Sequence, residues 1–190
     1  MGSKGDNNRQ RIVDAADQLF HTRGYNQTSF RDISEITGIP RGNFYYYFKT
    51  KDDILGAVID SRTKFYSEML AQCETAASQP LERLLAFANM LEDFSDSIVE
   101  VGCPIGSLTS ELAKDEPHLQ KKSREIFELL RDWIEKNLST AGVSDSQNAA
   151  MDMLARMQGV SVMACAFKDK SYLHRGLEEV RSWLKKLILN

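Results

Sequence analysis

Arg41, Asn43, Tyr45, Tyr46, Tyr47 and Lys51 put a guanidinium, an amide, three phenols and an ammonium into one short stretch of a 190-residue chain. These groups suit nucleic acid better than bond-breaking. Arginine pairs bidentately with a guanine edge, and asparagine bonds an adenine edge or a phosphate. Tyrosine hydroxyls and lysine are ordinary phosphate partners. Gly42 carries no side chain, which lets the backbone approach a groove closely.

Two helical segments and a tight turn must hold this row. Thr28 and Ser29 carry hydroxyls suited to a helix start, and Ile33 and Ile36 supply that helix's apolar face. Gly38 gives the turn its backbone freedom, and Pro40 suits the first position of the next helix. At about 100° per residue, Phe44 and Phe48 share the inner face of that second helix. Gly42, Asn43 and Tyr46 then point outward, with Arg41 and Tyr45 on one flank and Tyr47 on the other. The pattern predicts a helix-turn-helix whose second helix enters the major groove. The alternative for any single ring is a tyrosine half-buried in an ordinary core.

Residues 9–55 resemble the DNA-binding domain of the TetR family of transcriptional regulators. The run Arg11-Ile12-Val13-Asp14-Ala15-Ala16, with Leu19-Phe20 and Gly24-Tyr25, is similar to that family's first helix and its exit. Thr28-Ser29-Phe30-Arg31-Asp32-Ile33 resembles the start of its second helix. Gly38-Ile39-Pro40-Arg41-Gly42-Asn43-Phe44-Tyr45-Tyr46-Tyr47-Phe48, followed by Lys51, resembles its turn and recognition helix. Pro40 stands where Ser is commoner, and Asn43 where a small residue is usual. The resemblance implies DNA contacts from Thr28, Ser29, Arg31, Arg41, Gly42, Asn43, Tyr45, Tyr46, Tyr47 and Lys51. It also implies an all-α fold of about nine helices, with a DNA-binding domain over 1–50 and an effector-binding and dimerisation domain over 51–190.

The net charge of −3 conceals an uneven split. Through Lys51 there are eight Lys/Arg against five Asp/Glu, and the remainder is acidic. Binding through so modest a basic patch calls for paired contacts from two copies. No apolar run approaches the roughly 18 residues of a membrane span, and no secretory signal is present. Cys73, Cys103 and Cys165 lie far apart without metal spacing, which suits a reducing, cytoplasmic setting. Met1–Asn8 is polar and reads as a frayed end.

His21, His118 and His174 are isolated, and no zinc, P-loop, nucleophile-elbow or dinucleotide pattern occurs. The chain therefore reads as no enzyme and as needing no cofactor or metal. Acidic pairs such as Glu92-Asp93 and Asp115-Glu116 read as solvated faces or helix-start charges.

The remaining periodicity predicts helices throughout: about Arg9–Arg23, then Lys51 to Ala76, then from Pro80 without a break to Ile98. Further helices run from Pro104 to about Lys114, from Pro117 past Leu138, from about Ser144 to Phe167, and from about Tyr172 to Leu189. The last two carry Met151, Leu154, Val160, Met163 and Phe167, and Leu177, Val180, Trp183, Leu184 and Leu187. These residues read either as a homodimer interface or as ordinary core. A two-fold DNA reader needs a dimer, and the TetR resemblance pairs these helices into a four-helix bundle.

Phe87, Met90, Phe94, Cys103, Leu108, Phe127, Leu130, Trp133, Met153 and Met157 are the candidates for an effector pocket between helices, although such a stripe is more often plain core. Gly102-Cys103-Pro104-Ile105-Gly106, followed by Leu108 and Glu111-Leu112, resembles a TetR subgroup that includes electrophile and oxidant sensors. Cys103 at a helix start is then either a sensor thiol or a small packing residue. The combined expectation is a dimeric regulator, a repressor of a palindromic operator, released by a small-molecule effector. The alternatives are an architectural DNA-binding protein without an effector, or a redox-responsive regulator acting through Cys103.

Overall fold

The computed structural model describes residues 4–189, which form ten α-helices and no strand. They are α1 (Lys4–Thr22), α2 (Phe30–Thr37), α3 (Arg41–Phe44), α4 (Lys51–Ala76) and α5 (Pro80–Asp93). They continue with α6 (Ser95–Val101), α7 (Pro104–Asp115), α8 (Pro117–Thr140), α9 (Ser146–Phe167) and α10 (Lys170–Leu189). The all-α expectation holds. The single helix expected from Pro80 to Ile98 is two, broken at Phe94, whose backbone (φ −100°, ψ 10°) leaves the helical range. The first helix starts five residues earlier than expected, at Lys4 rather than Arg9, so residues 4–8 are helical. The expected fraying of Met1–Ser3 lies outside the described residues.

Two compact units divide the chain, residues 1–64 with 107–126 and residues 65–106 with 127–190. Helices α4, α7 and α8 each contribute to both. In the first unit, Ile12, Ala16, Leu19 and Phe20 of α1 are buried, as their spacing predicts. Around them lie Ile33, Phe44, Phe48, Ile54, Leu55 and Val58. Arg62 of α4 is buried and donates to Asp17 of α1 at 2.6 Å, so its charge is compensated where it leaves water.

In the second unit, α10 packs on α9, α5 and α6. Ile98, Ala164, Leu173 and Leu177 form one apolar cluster there, joined by Val160 and Tyr172. Leu154, Val180 and Leu184 are also sealed inside this unit. Lys168 ends α9 in the left-handed region (φ 52°), and its ammonium donates to the carbonyls of Val99 and Glu100 near the end of α6.

Candidate nucleic-acid interface

Helix α2 begins with a capping box. The Ser29 hydroxyl accepts from the Asp32 N–H at 3.4 Å, and the Asp32 carboxylate accepts from the Ser29 N–H at 2.8 Å. The Ser29 hydroxyl also donates to the Asp32 carboxylate, and this bond first, then the one from the Ser29 N–H, holds the Asp32 carboxyl below the usual carboxylate range. The helix ends at Gly38, whose positive φ of 66° supplies the left-handed cap, and the Gly38 N–H donates to the Ser34 carbonyl at 2.9 Å. Arg11 of α1 adds a bond to the Thr37 carbonyl at 2.6 Å. The apolar face of α2 is narrower than its sequence implies. Ile33 is buried but Ile36 is half exposed, and Thr37 takes the second inner position, bonding the Ile33 carbonyl.

Helix α3 is only four residues long and passes into a tight turn, with Tyr47 N–H and Phe48 N–H both donating to the Phe44 carbonyl at 2.8 Å. Phe44 and Phe48 are buried and anchor it. Phe30 meets Phe44 edge-on, with ring centroids 5.7 Å apart, and stacks on Tyr45 at 6.1 Å. Arg41, Gly42, Asn43, Tyr45 and Tyr46 all face out, Tyr46 at 86% exposure and Tyr45 at 54%. Tyr47 is half-buried. A guanidinium, an amide and two phenols therefore line one exposed surface on a rigid apolar footing.

Of the other residues expected to touch DNA, Thr28 and Lys51 turn inward, while Ser29 and Arg31 are exposed and bonded within α2. Thr28 is 2% exposed, and its hydroxyl donates to the Gly24 carbonyl at 2.8 Å, so it closes the turn before α2 and does not join the exposed row. Lys51 turns its ammonium inward, onto the carbonyls of Tyr25 (2.9 Å) and Thr28 (3.1 Å) and 4.1 Å from the Tyr25 ring centroid. Burial lowers its pKa, against the pull of Asp52, Glu111 and Glu116. Ser29 spends its hydroxyl on the helix cap. Arg31 is exposed but bonded to Glu35 at 2.8 Å.

Two residues outside the expected contact row support the site. Asp53 accepts from the Lys49 and Thr50 N–H groups, both at 2.9 Å, while the Thr50 hydroxyl accepts from the Asp53 N–H at 3.1 Å, a second capping box that starts α4. Its Thr-x-x-Asp spacing was a readable signal. Glu111 of α7 accepts from the Tyr25 N–H (2.9 Å) and the Asn26 N–H (2.8 Å) in the turn leading to α2. Nothing in the sequence near residue 25 points to a partner 86 positions away. The Tyr25 hydroxyl bonds Asp52, and burial first, then that carboxylate, pushes its pKa well above the usual range.

The family description "Bacterial regulatory proteins, tetR family" matches residues 12–58, and "Transcriptional regulator LmrA/YxaF-like, C-terminal domain" matches residues 80–179, more than half of the chain. The chain belongs to the TetR family of bacterial transcriptional regulators. It is 29% identical to an uncharacterized HTH-type transcriptional regulator in the lacX 3' region of Lactococcus lactis, with 95% of each chain covered. It is 27% identical to the HTH-type transcriptional regulator LmrA of Bacillus subtilis, with 90% of this chain and 93% of that one covered. A TetR transcriptional regulator from Chloroflexus aurantiacus has the same fold, with a TM-score of 0.88, 22% identity and 98% of each chain covered. This TetR-family regulator is accordingly a DNA-binding protein and not an enzyme.

The expected effector residues of the regulator differ in their surroundings. Leu108 belongs to the first unit and the other nine to the second. Phe87, Leu130, Trp133, Met153 and Met157 are buried, with the Phe87 and Trp133 rings 5.7 Å apart. Met90, Cys103 and Phe127 are half-buried, and Phe94 is exposed, its ring edge-on to Phe65 at 6.1 Å. A groove of about 620 Å³ runs between α5 and α10, but Asn89, Glu92, Asp93, Glu178, Arg181 and Lys185 make it polar, and only Met90 of the expected set lies on it. Cys103 immediately precedes α7, and its sulfur accepts from Gln158 Nε2 at 3.4 Å. No helix among the described residues is long and apolar enough to cross a membrane.

The expected interface residues also divide. Leu154, Leu177, Val180 and Leu184 are core residues of their own chain, and Val160 packs against Gly176 of α10. Trp183 and Leu187 are half-buried, the Trp183 ring lying 4.9 Å from the Arg156 guanidinium carbon. The exposed apolar residues are Met151, Val162, Met163 and Phe167 on α9. Gly159 lies in the same row, with open space where a Cβ would project.

Proposed function

We propose that this regulator binds a palindromic DNA operator as a homodimer, represses by occupying it, and is released by a small-molecule effector. The observation that carries the reading is the exposed row Arg41, Asn43, Tyr45 and Tyr46 set on the buried Phe44–Phe48 footing. Arg41 and Asn43 are assigned to base edges, and Tyr45 and Tyr46 to phosphates. Ser29, Arg31 and Tyr47 flank that row as secondary contacts.

The dimer is read on α9. Met151, Gly159, Val162, Met163 and Phe167 form an apolar strip, with Val162 59% and Phe167 69% exposed. The open Gly159 permits close approach of a second helix, and Trp183 and Leu187 of α10 border it. A soluble chain stabilises such a strip by burying it, at about 25 cal/mol per Å² removed from water. Two recognition elements then read half-sites about 34–36 Å apart, which offsets the modest basic charge of one copy.

Effector binding is read in the second unit, beside the apolar residues of α5, α8 and α9. The effector acts by population shift, favouring an arrangement that binds DNA less well. Its preference for that arrangement sets how far the operator affinity falls. The chain's setting is read as the cytoplasm, where its DNA is.

Genomic footprinting tests the proposal. The expected result is a small number of protected sites, each with two-fold symmetry and half-sites one helical turn apart. Uniform coverage of the genome without symmetric sites would favour the architectural reading and refute this one.

A further inference from the structure

The segment from Gly102 to Leu112 has a place in the fold that neither DNA contact nor a thiol sensor accounts for. At its start, Gly102 turns the chain with φ 88°, and Cys103 and Gly106 both meet Gln158 of α9. A Cβ on Gly106 would fall 2.4 Å from the Gln158 side-chain oxygen, so the glycine leaves Gln158 room to lie against the start of α7. Further along, Leu108 and Leu112 are buried. Glu111 then reaches the turn before α2. Its carboxylate takes the Tyr25 and Asn26 N–H groups, and a Cβ on Gly24 would lie 3.0 Å from it. Gly24 has φ 91°, in the left-handed region that favours glycine, and the carboxylate lies beside it.

One helix thus begins against α9 and ends on the turn that sets α2. We propose that Glu111 is a positioning residue that couples α7 to the helix-turn-helix, so that a displacement of α7 is felt at the DNA-binding surface through the Tyr25–Asn26 turn. The proposal rests on the effector-release reading and names a contact through which it would act. It also gives the Gly-x-x-x-Gly spacing and the acidic residue after it a common purpose: the glycines seat one end of α7 and the carboxylate grips with the other. A carboxylate accepting two backbone N–H groups is a strong, directional hold. Hydrogen bonds to a charged group are worth enough that losing them opens a turn by about tenfold or more.

Peptide-resolved hydrogen exchange of the full-length protein, with and without a DNA fragment carrying a footprinted site, tests the coupling without any effector. In the wild type, DNA should slow exchange over residues 30–48 and also over residues 104–112. In Glu111→Ala, the free protein should exchange about tenfold faster over residues 23–28. DNA should still slow residues 30–48 in that variant, while the slowing over 104–112 disappears. Glu111→Gln keeps one acceptor oxygen and should restore part of that slowing, which a general loss of stability would not produce. DNA-induced slowing over 104–112 that is absent in the wild type, or undiminished in Glu111→Ala, would overturn the proposal alone. No slowing over 30–48 in the wild type would overturn the DNA-binding reading beneath it.

Discussion

At the scale of single residues, the surface beside α3 separates groups that read from groups that hold. Arg41→Ala or Asn43→Ala should relax preference at particular bases, costing about 1–3 kcal/mol there and little at other positions. Tyr45→Ala should weaken binding to all sequences alike. A salt-matched competition against base-substituted operators separates the two behaviours. Lys51 was expected to touch phosphate, but its ammonium bonds the Tyr25 and Thr28 carbonyls. Lys51→Ala should therefore lower the melting temperature. The salt slope of its DNA binding should shift by less than the value of about 0.9 that each neutralised phosphate contributes. The two capping boxes carry a pH signature. Asp32 and Asp53 both have depressed carboxyl pKa values, held down chiefly by hydrogen bonds from Ser29 and from the Thr50 N–H. A depressed folded-state pKa contributes stability above the ordinary aspartate value of about 4 and loses it as pH falls toward the folded value. Urea midpoints should accordingly decline below about pH 4, and Asp53→Asn should flatten that decline.

Among the elements, much of the helix-turn-helix was legible because its signals are local. Ser29 and Asp32 cap, Gly38 turns, and Phe44 and Phe48 repeat at helical spacing. The break between α5 and α6 was not legible, since Leu91, Phe94 and Ile98 continue one apolar period across it. Nor could periodicity tell which face of α9 is covered by its own chain. Val160 looked central to a dimer surface, yet it packs on Gly176, where a Cβ would lie 2.5 Å from its methyl carbon. That placement decides which variant tests assembly. Val160→Glu should destabilise the fold, because it places a carboxylate against the α10 backbone at Gly176 and the apolar cluster beside it. Gly159→Arg projects into open space on the single chain and gains about 0.5–1 kcal/mol of helix propensity. It should keep its circular dichroism and melt normally while sedimenting as a monomer. A Gly159→Arg protein that remains dimeric would move the interface off this strip.

For the molecule as a whole, the fold class and the DNA-binding end could be anticipated from sequence, while the links between distant segments could not. Glu111 and Tyr25 are 86 positions apart, and Arg62 and Asp17 are 45 apart. Such pairs leave no periodic trace, because only the folded chain brings them together. The residues expected to line an effector site are spread over several helices, and six of the ten are buried. With an overall charge of −3, the proposed dimer would give affinity and selectivity through two recognition elements acting together. The most direct test is an equilibrium titration of the protein against a footprinted site and against random-sequence DNA at one fixed salt concentration, with the stoichiometry read in the same experiment. The account predicts two chains per site and binding to the footprinted site at least about a thousandfold tighter than to random DNA. Equal affinity for both, or one chain per site at full affinity, would contradict it.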